Sequence, residues 1–338
     1  MKIAVLGLGF MGSTHLKALK NIPEAELFAV VSSDETKLSG DLRAIQGNLG
    51  VPGEQMDFSA VRKYKTVTDA LNDPLIEAVD ICLPTDQHAS VSMDALRAGK
   101  HVLVEKPMAL EGATADEMLA EARGSNRVLM TGHVLRFIGA YRGAADILKS
   151  RRLDEVRSAF FRRRCAAPAW SKWLADSAKS GGGVFDLLIH DIDYCIHVFG
   201  KPESVSATGY VDLDKGIDWI LANFHYRNAG PVIVTGGWHH PRAYPFSMEF
   251  TVVSDGGTLE FSSAGRPLAL YNARGLEEIV SVSSKDPFES ELAYFIDCAS
   301  NNRQPDLCPP EESAQAVRLA RYMLKSRDRN GEKLTCDF

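Results

Sequence analysis

Short unbroken apolar runs alternate with amphipathic stretches through the first third of the chain. KIAVLGL, ELFAVVS, AVDICLP, HVLVEKP and RVLMTG read as strands, and helical spacing predicts helices over residues 10–20, 34–46, 86–98 and 111–123. Runs such as IAVL, FAVV and HVLV have no polar face, so they belong to a parallel sheet covered on both sides. Right-handed crossovers through the intervening helices make that sheet doubly wound. Residues 47–63, GNLGVPGEQMDFSAVRK, are glycine-rich and aperiodic and read as a long surface loop.

After about residue 133 the pattern changes. A helix near 134–150 is followed by EVRSAFFRR and then by SGGGVFDLLIHDIDYCIHVFG, residues 180–200, a helix made almost wholly of apolar side chains. SVSATGYVD, WILANFHY, PVIVTGGWHH, SMEFTVVSD and TLEF come next with no helix between them, which indicates an antiparallel or mixed sheet. Helices at 288–301 and 311–327 close the chain. The expected fold is α/β: a doubly wound domain over residues 1–132, then an α+β domain over residues 133–338 with a large mixed or antiparallel sheet.

Composition narrows the class. The chain has 338 residues, 45% of them hydrophobic, and a net charge of -6. That is room for about two domains with substantial cores. Acidic and basic residues are interspersed, which gives no nucleic-acid surface. Six cysteines without CxxC spacing suit a reducing, cytoplasmic setting. No apolar run approaches the roughly 18 residues of a membrane span, so no membrane partner is expected.

Gly7-Leu8-Gly9-Phe10-Met11-Gly12 is GxGxxG directly after a strand and opening a helix. The first glycine permits the turn, the second lets the backbone approach a pyrophosphate, and the third lets helix and strand pack. In a βαβ unit this reads as a Rossmann dinucleotide site. An acid for the ribose 2′-hydroxyl is expected about 20 residues on, yet Ser32 and Ser33 stand there. Those hydroxyls, with Lys37 and Arg43 nearby, tilt the expectation slightly from NAD to NADP. Asp34 could cap the next helix or reach the ribose.

Two more strand ends carry polar groups. Leu83, Pro84, Thr85 and His88 follow one, and Glu105, Lys106 and Pro107 follow the next. Both loops fall at the carboxyl edge of the sheet, where ligands bind in open α/β folds. A lysine there could hydrogen-bond a reacting hydroxyl and stabilise its developing negative charge. Pro107 would fix the turn that aims it.

GLGFMG, CLPTDQHASVSMDALRAGKHVLVEKPMAL, TGHVLRF and SGGGVFDLLIHDIDYCIHVFG occur in this order. Together they resemble the Gfo/Idh/MocA family of glucose–fructose oxidoreductase, inositol dehydrogenase and rhizopine catabolism relatives. The resemblance runs from residue 1 into the final helix. It departs from the NAD-type pattern at Ser32 and in the longer 47–63 loop. It implies an active-site triad on Lys106, Asp186 and His190.

Chemistry supports that assignment independently. Alcohol oxidation requires a base for the hydroxyl proton, a task suited to imidazole, and Asp186 one turn earlier can orient His190. Asp186, His190, Asp193 and His197 recur at spacings of four, three and four, one stripe at about 100° per residue. Asp193 and His197 lie too far along the helix to serve the same carbon and are expected in pairing roles. At most two helix residues could share an ion, so no metal site is expected. Arg136, Trp173 and His239 join Lys106, Asp186 and His190 as candidate substrate contacts, with Trp170, Trp238 and His240 nearby. Arg136 reads equally as an ion-pair residue, and Trp173 and Trp238 as core.

The expected activity is hydride transfer between NAD(P) and a secondary alcohol of a sugar, inositol or polyol, in a homodimer or homotetramer. The alternatives are a glycoside-cleaving enzyme using transient oxidation and elimination, and a non-catalytic nucleotide sensor.

Overall fold

The computed structural model describes residues 1–47, 53–168 and 172–338. These form two compact units, Met1–Val134 with Lys285–Ala314, and Leu135–Ser284 with Gln315–Phe338.

In the first unit, β1 (Lys2–Leu6), α1 (Phe10–Leu19), β2 (Glu26–Val31), α2 (Glu35–Leu38), β3 (Arg62–Tyr64), α3 (Val67–Leu71), β4 (Ala78–Ile81), α4 (Thr85–Arg97), β5 (His101–Glu105), α5 (Gly112–Ser125) and β6 (Leu129–Gly132) succeed one another. The sheet order is β3-β2-β1-β4-β5-β6, with every pairing parallel. β4, β5 and β6 are buried at every position, as strands without a polar face must be when helices cover both sides. The order reverses between β1 and β4, and a ligand crevice is expected outside the carboxyl ends of those strands.

Two local expectations fail. The helix expected over 34–46 is a single turn, α2, because the chain bends away at Gly40 to pair Asp41 with Gln55. The loop over 47–63 ends in an edge strand, β3, too short and too charged to show a two-residue period.

The second unit opens with α6 (Gly139–Lys149), β7 (Val156–Cys165), α7 (Ser177–Ser180) and α8 (Ile189–Phe199). β8 (Ser204–Asp212), β9 (Ile217–His225), β10 (Val232–Trp238), β11 (Ser247–Ser254), β12 (Gly257–Ser262), β13 (Arg266–Asn272) and β14 (Glu277–Ile279) follow. α9 (Pro287–Ser300) returns to the first unit, where Asn21 bonds Glu289 and His15 meets the Phe288 ring. The division expected at 132/133 does not include that return. α10 (Pro310–Asp328) leads back to the second unit and β15 (Leu334–Thr335) ends the chain.

The second sheet has nine strands in the order β14-β13-β12-β11-β7-β10-β9-β8-β15, antiparallel except where β10 runs parallel to β7. β9 alternates strictly, with Asp218, Ile220, Ala222 and Phe224 buried and Trp219, Leu221 and Asn223 facing outward. Tyr141 of α6, Tyr194 of α8 and Phe161 and Phe250 of the sheet interlock edge to face beneath it. The outer face exposes Phe160, Tyr210, Val253 and Tyr271.

Candidate active site

In the first unit the glycine loop divides its labour by shape. A Cβ on Gly7 would stand 2.7 Å from the Cys82 carbonyl oxygen, and one on Gly12 would stand 1.9 Å from that of Gly7. Gly7 also sits at φ +99°, where side chains are disfavoured. A Cβ on Gly9 would meet nothing within 4 Å. α1 has no side-chain cap and no acid in its first turn, so its amino end is left for an external anion. Half-buried Phe10 and Met11 flank it. This cradle fits a dinucleotide pyrophosphate.

Ser32 ends β2. Its amide donates to the Tyr64 carbonyl at 3.1 Å and its Oγ accepts the Asp34 amide at 3.1 Å. Asp34 takes the capping role: its Oδ1 accepts from the Thr36 and Lys37 amides at 2.9 and 3.4 Å. Arg43 closes as a fork on Asp41, at 2.9 and 2.7 Å. Its hydrogen bonds hold the Asp41 carboxyl down to about 2. Ser33 is exposed and Lys37 half-buried, at the same strand end.

Pro84 heads α4, and Thr85 in its first turn is buried. His88 is 1% exposed, with its ring nitrogens 2.7 Å from the Pro107 carbonyl and 2.8 Å from that of Leu83. Burial pulls its pKa down. It is an internal strut tying the two strand-end loops together.

Glu105 is likewise turned inward. Its Oε2 accepts the Lys106 amide at 3.0 Å and its Oε1 lies 3.1 Å from His15 Nε2. His15 Nδ1 lies 2.9 Å from Asp80 Oδ2. Burial alone would lower the His15 pKa, but Asp80 overrides it and lifts it well above the ordinary value. Burial pushes Glu105 the other way from His15, whose hydrogen bond nevertheless brings it below the ordinary carboxyl range. Lys106 is half-buried, and the Lys106–Pro107 bond is cis.

Sequence reasoning missed His15, Asp80 and Glu291. The available signal was a charge inside AVDI, a run that should be wholly buried. Among the described residues, the His/Cys/Asp/Glu groups close enough to share an ion are His15 with Asp80 and Cys82, and His15 with Glu105 and Glu291. His15 thus has a carboxylate beside each ring nitrogen, Asp80 at 2.9 Å and Glu105 at 3.1 Å.

In the second unit, residues Val184–Leu188 form a π-helical turn that runs into α8. Its wider i→i+5 bonding breaks the uniform 100° stripe expected for this stretch. Asp186 lies in the turn and His190 just after it, both half-buried. Asp191, which sequence reasoning overlooked, lies off the stripe, with Oδ2 and Oδ1 at 2.6 and 3.1 Å from the Arg163 fork. Asp193 receives the Arg136 fork at 2.8 and 2.6 Å, and His197 Nδ1 lies 3.1 Å from Arg136 Nη1. The Arg136 and Asp193 side chains are both 0% exposed. Arg136 is therefore an interior ion-pair residue, the second of the two roles its sequence position offered.

The three glycines before the turn pass close to protein. Added Cβ atoms would stand 2.6 Å from Phe185 at Gly181, 2.5 Å from Asp218 Oδ2 at Gly182 and 3.3 Å from Trp238 at Gly183. Trp238 is buried with Cys165, Leu174 and Leu187, and Trp173 packs against that group. His239 is exposed, with a ring nitrogen 3.0 Å from the Tyr210 hydroxyl, and its ring meets that of His240 edge to face. Trp170 lies outside the described residues. No helix among the described residues is long and apolar enough to cross a membrane.

Comparison with known proteins agrees with this architecture. Residues 1–133 match the GFO_IDH_MocA oxidoreductase family with its NAD-binding Rossmann fold. Residues 141–260 match a GFO/IDH/MocA C-terminal domain. Myo-inositol 2-dehydrogenase of Thermotoga maritima is 30% identical over 64% of this chain, and the match spans 60% of that relative's length. 4-carboxy-2-hydroxymuconate-6-semialdehyde dehydrogenase of a Sphingobium strain is 30% identical over 90% of this chain and 92% of its own. A levoglucosan dehydrogenase solved with NADH and levoglucosan shares the fold at TM-score 0.85 and 17% identity, covering 100% of both chains. The chain belongs to the Gfo/Idh/MocA oxidoreductase family.

Proposed function

We propose that the chain is an NAD(P)-dependent dehydrogenase that exchanges a hydride between nicotinamide and a secondary-alcohol carbon of a sugar, inositol or related polyol. One contrast carries this reading: Asp191 and Asp193 are buried against arginines, whereas Asp186 and His190 keep solvent contact. His190 takes the hydroxyl proton on oxidation and returns it on reduction. Asp186 orients the imidazole and a substrate hydroxyl. Lys106 donates to the reacting oxygen and stabilises its developing charge.

Gly7, Gly9, Phe10, Met11 and Gly12 hold the pyrophosphate, and Ser32, Ser33 and Lys37 face the adenosine ribose. The bound nicotinamide supplies the hydride acceptor. With Asp34 engaged as a cap, the strand end favours NADP slightly over NAD. His239 and Trp173 border the substrate. The exposed apolar groups of the outer sheet face support a homodimer or homotetramer.

An aldehyde is a second substrate form, favoured by the relative named for a semialdehyde that matches nearly the whole chain. Its hydrate or hemiacetal presents the same H–C–O–H unit.

The test follows nicotinamide absorbance with NAD and NADP against polyols, sugars, glycosides and semialdehydes. Turnover should fall about 10²–10⁴-fold in His190→Ala while NADPH or NADH still binds. Silence of the native protein across the panel would overturn the reading. Nicotinamide carried tightly through purification would then favour transient oxidation and elimination.

A further inference from the structure

We infer that Asp218, braced by Arg327, is a positioning residue that sets where the Asp186–His190 helical segment begins; this rests on the catalytic reading of those two residues. The chain enters the segment through Gly181, Gly182 and Gly183, and a helix start leaves backbone amides without internal partners. No side chain of the entering segment caps this one. The cap comes instead from β9, 35 residues on: Asp218 Oδ2 accepts the Gly183 amide at 2.7 Å. The other carboxylate oxygen, Oδ1, accepts from Arg327 Nη1 of α10 at 2.7 Å. Both side chains are inside, Asp218 at 4% exposure and Arg327 at 10%.

The carboxylate thus has one oxygen for the helix start and one for the guanidinium. Charge-assisted bonds of this kind are about twice as strong as neutral ones. The approach leaves no room for error. Gly182 is at φ +75°, and its missing Cβ would stand 2.5 Å from Asp218 Oδ2. Ser180 Oγ, itself buried, accepts the Gly182 amide at 3.0 Å and fixes the preceding turn. Three residues beyond Gly183 comes Asp186, and the π turn from Val184 to Leu188 hands the chain to His190. A single π turn is rare and frequently marks a functional site, so its presence here calls for a local reason. Anchoring Gly183 from the sheet supplies one, and it fixes the direction in which Asp186 and His190 leave the backbone.

The experiment compares Asp218→Asn, Asp218→Ala, Arg327→Lys and Arg327→Ala in the full chain. It reads kcat and KM separately, the pH profile of kcat/KM, and amide exchange over residues 181–190. Asp218→Ala should lower kcat by 10- to 100-fold, shift the acid limb of the profile and deprotect the 183–190 amides. Asp218→Asn keeps an oxygen for Gly183 and should lose less than 10-fold. Arg327→Lys should restore most of what Arg327→Ala loses.

NADH or NADPH binding, assigned to the first unit, should stay within twofold throughout. If Asp218→Ala does not fold, Asp218→Asn and the Arg327 pair decide. Native kcat, KM, pH profile and exchange in the folded variants would overturn the inference. If the native protein turns over no substrate, the catalytic reading fails separately. The exchange arm then decides on its own: unchanged protection overturns the anchor, and deprotection confined to 183–190 supports it.

Discussion

Arg136 and Asp193 face each other inside the second unit as a two-bonded fork, at 2.8 and 2.6 Å, with both side chains fully buried. Removing one partner strands a charge in the interior, whereas removing both does not. Asp193→Ala should therefore cost about 3–5 kcal/mol, and the double change Arg136→Met with Asp193→Leu should recover most of it. Urea unfolding of the three proteins checks this, and equal losses in the single and double variants would contradict the pairing.

His15 and Glu105 give a pH dependence whose sign follows from their shifts. The His15 pKa is raised above 6.5, so its contribution is complete below that value and fades as pH rises through the folded value. Glu105 is lowered, so its contribution is present above 4.5 and fades as pH falls through its own folded value. Melting temperatures of the native protein and His15→Gln should differ by several degrees near pH 6 and converge toward alkaline pH. A gap that stays constant would mean that His15 carries no proton in the fold.

Gly9 and Gly12 should separate binding from folding. A side chain at Gly9 enters open space, so Gly9→Val should keep the native melting temperature of the cofactor-free protein and weaken NADH or NADPH binding at least tenfold. Gly12→Ala forces a Cβ within 1.9 Å of the Gly7 carbonyl oxygen and should lower stability itself. Calorimetric titration and thermal melts read the two effects.

Ser32→Asp puts a carboxylate at the end of β2, where a 2′-phosphate would lie. NADP use should fall more than tenfold in kcat/KM while NAD use holds or improves. An unchanged NADP to NAD ratio would mean that this strand end does not face the ribose.

Phe160 lies on the outer face of the second sheet, between Ile233 of β10 and Thr251 of β11, and is 38% exposed. Phe160→Glu should reduce the mass measured by light scattering to that of the monomer and leave circular dichroism unchanged. A monomeric native protein would remove the proposed self-association.

The sequence by itself determined the central strands of the first unit's sheet and its glycine turn. Apolar runs without a polar face require burial on both sides, and a GxGxxG turn admits few geometries, so β1, α1, β4, β5 and the loops after them were legible. It also marked Asp186 and His190, because ionisable groups in so apolar a helix have to be explained. Tertiary structure alone decided which charges were already answered. Asp191 with Arg163, Asp193 with Arg136 and His15 with Asp80 and Glu105 are partners 28, 57, 65 and 90 residues apart in the chain. No local period encodes such pairs. The same holds for the π turn, whose anchor on β9 lies beyond the reach of any helical pattern, and for α9, whose place beside α1 depends on side-chain packing between opposite ends of the sequence.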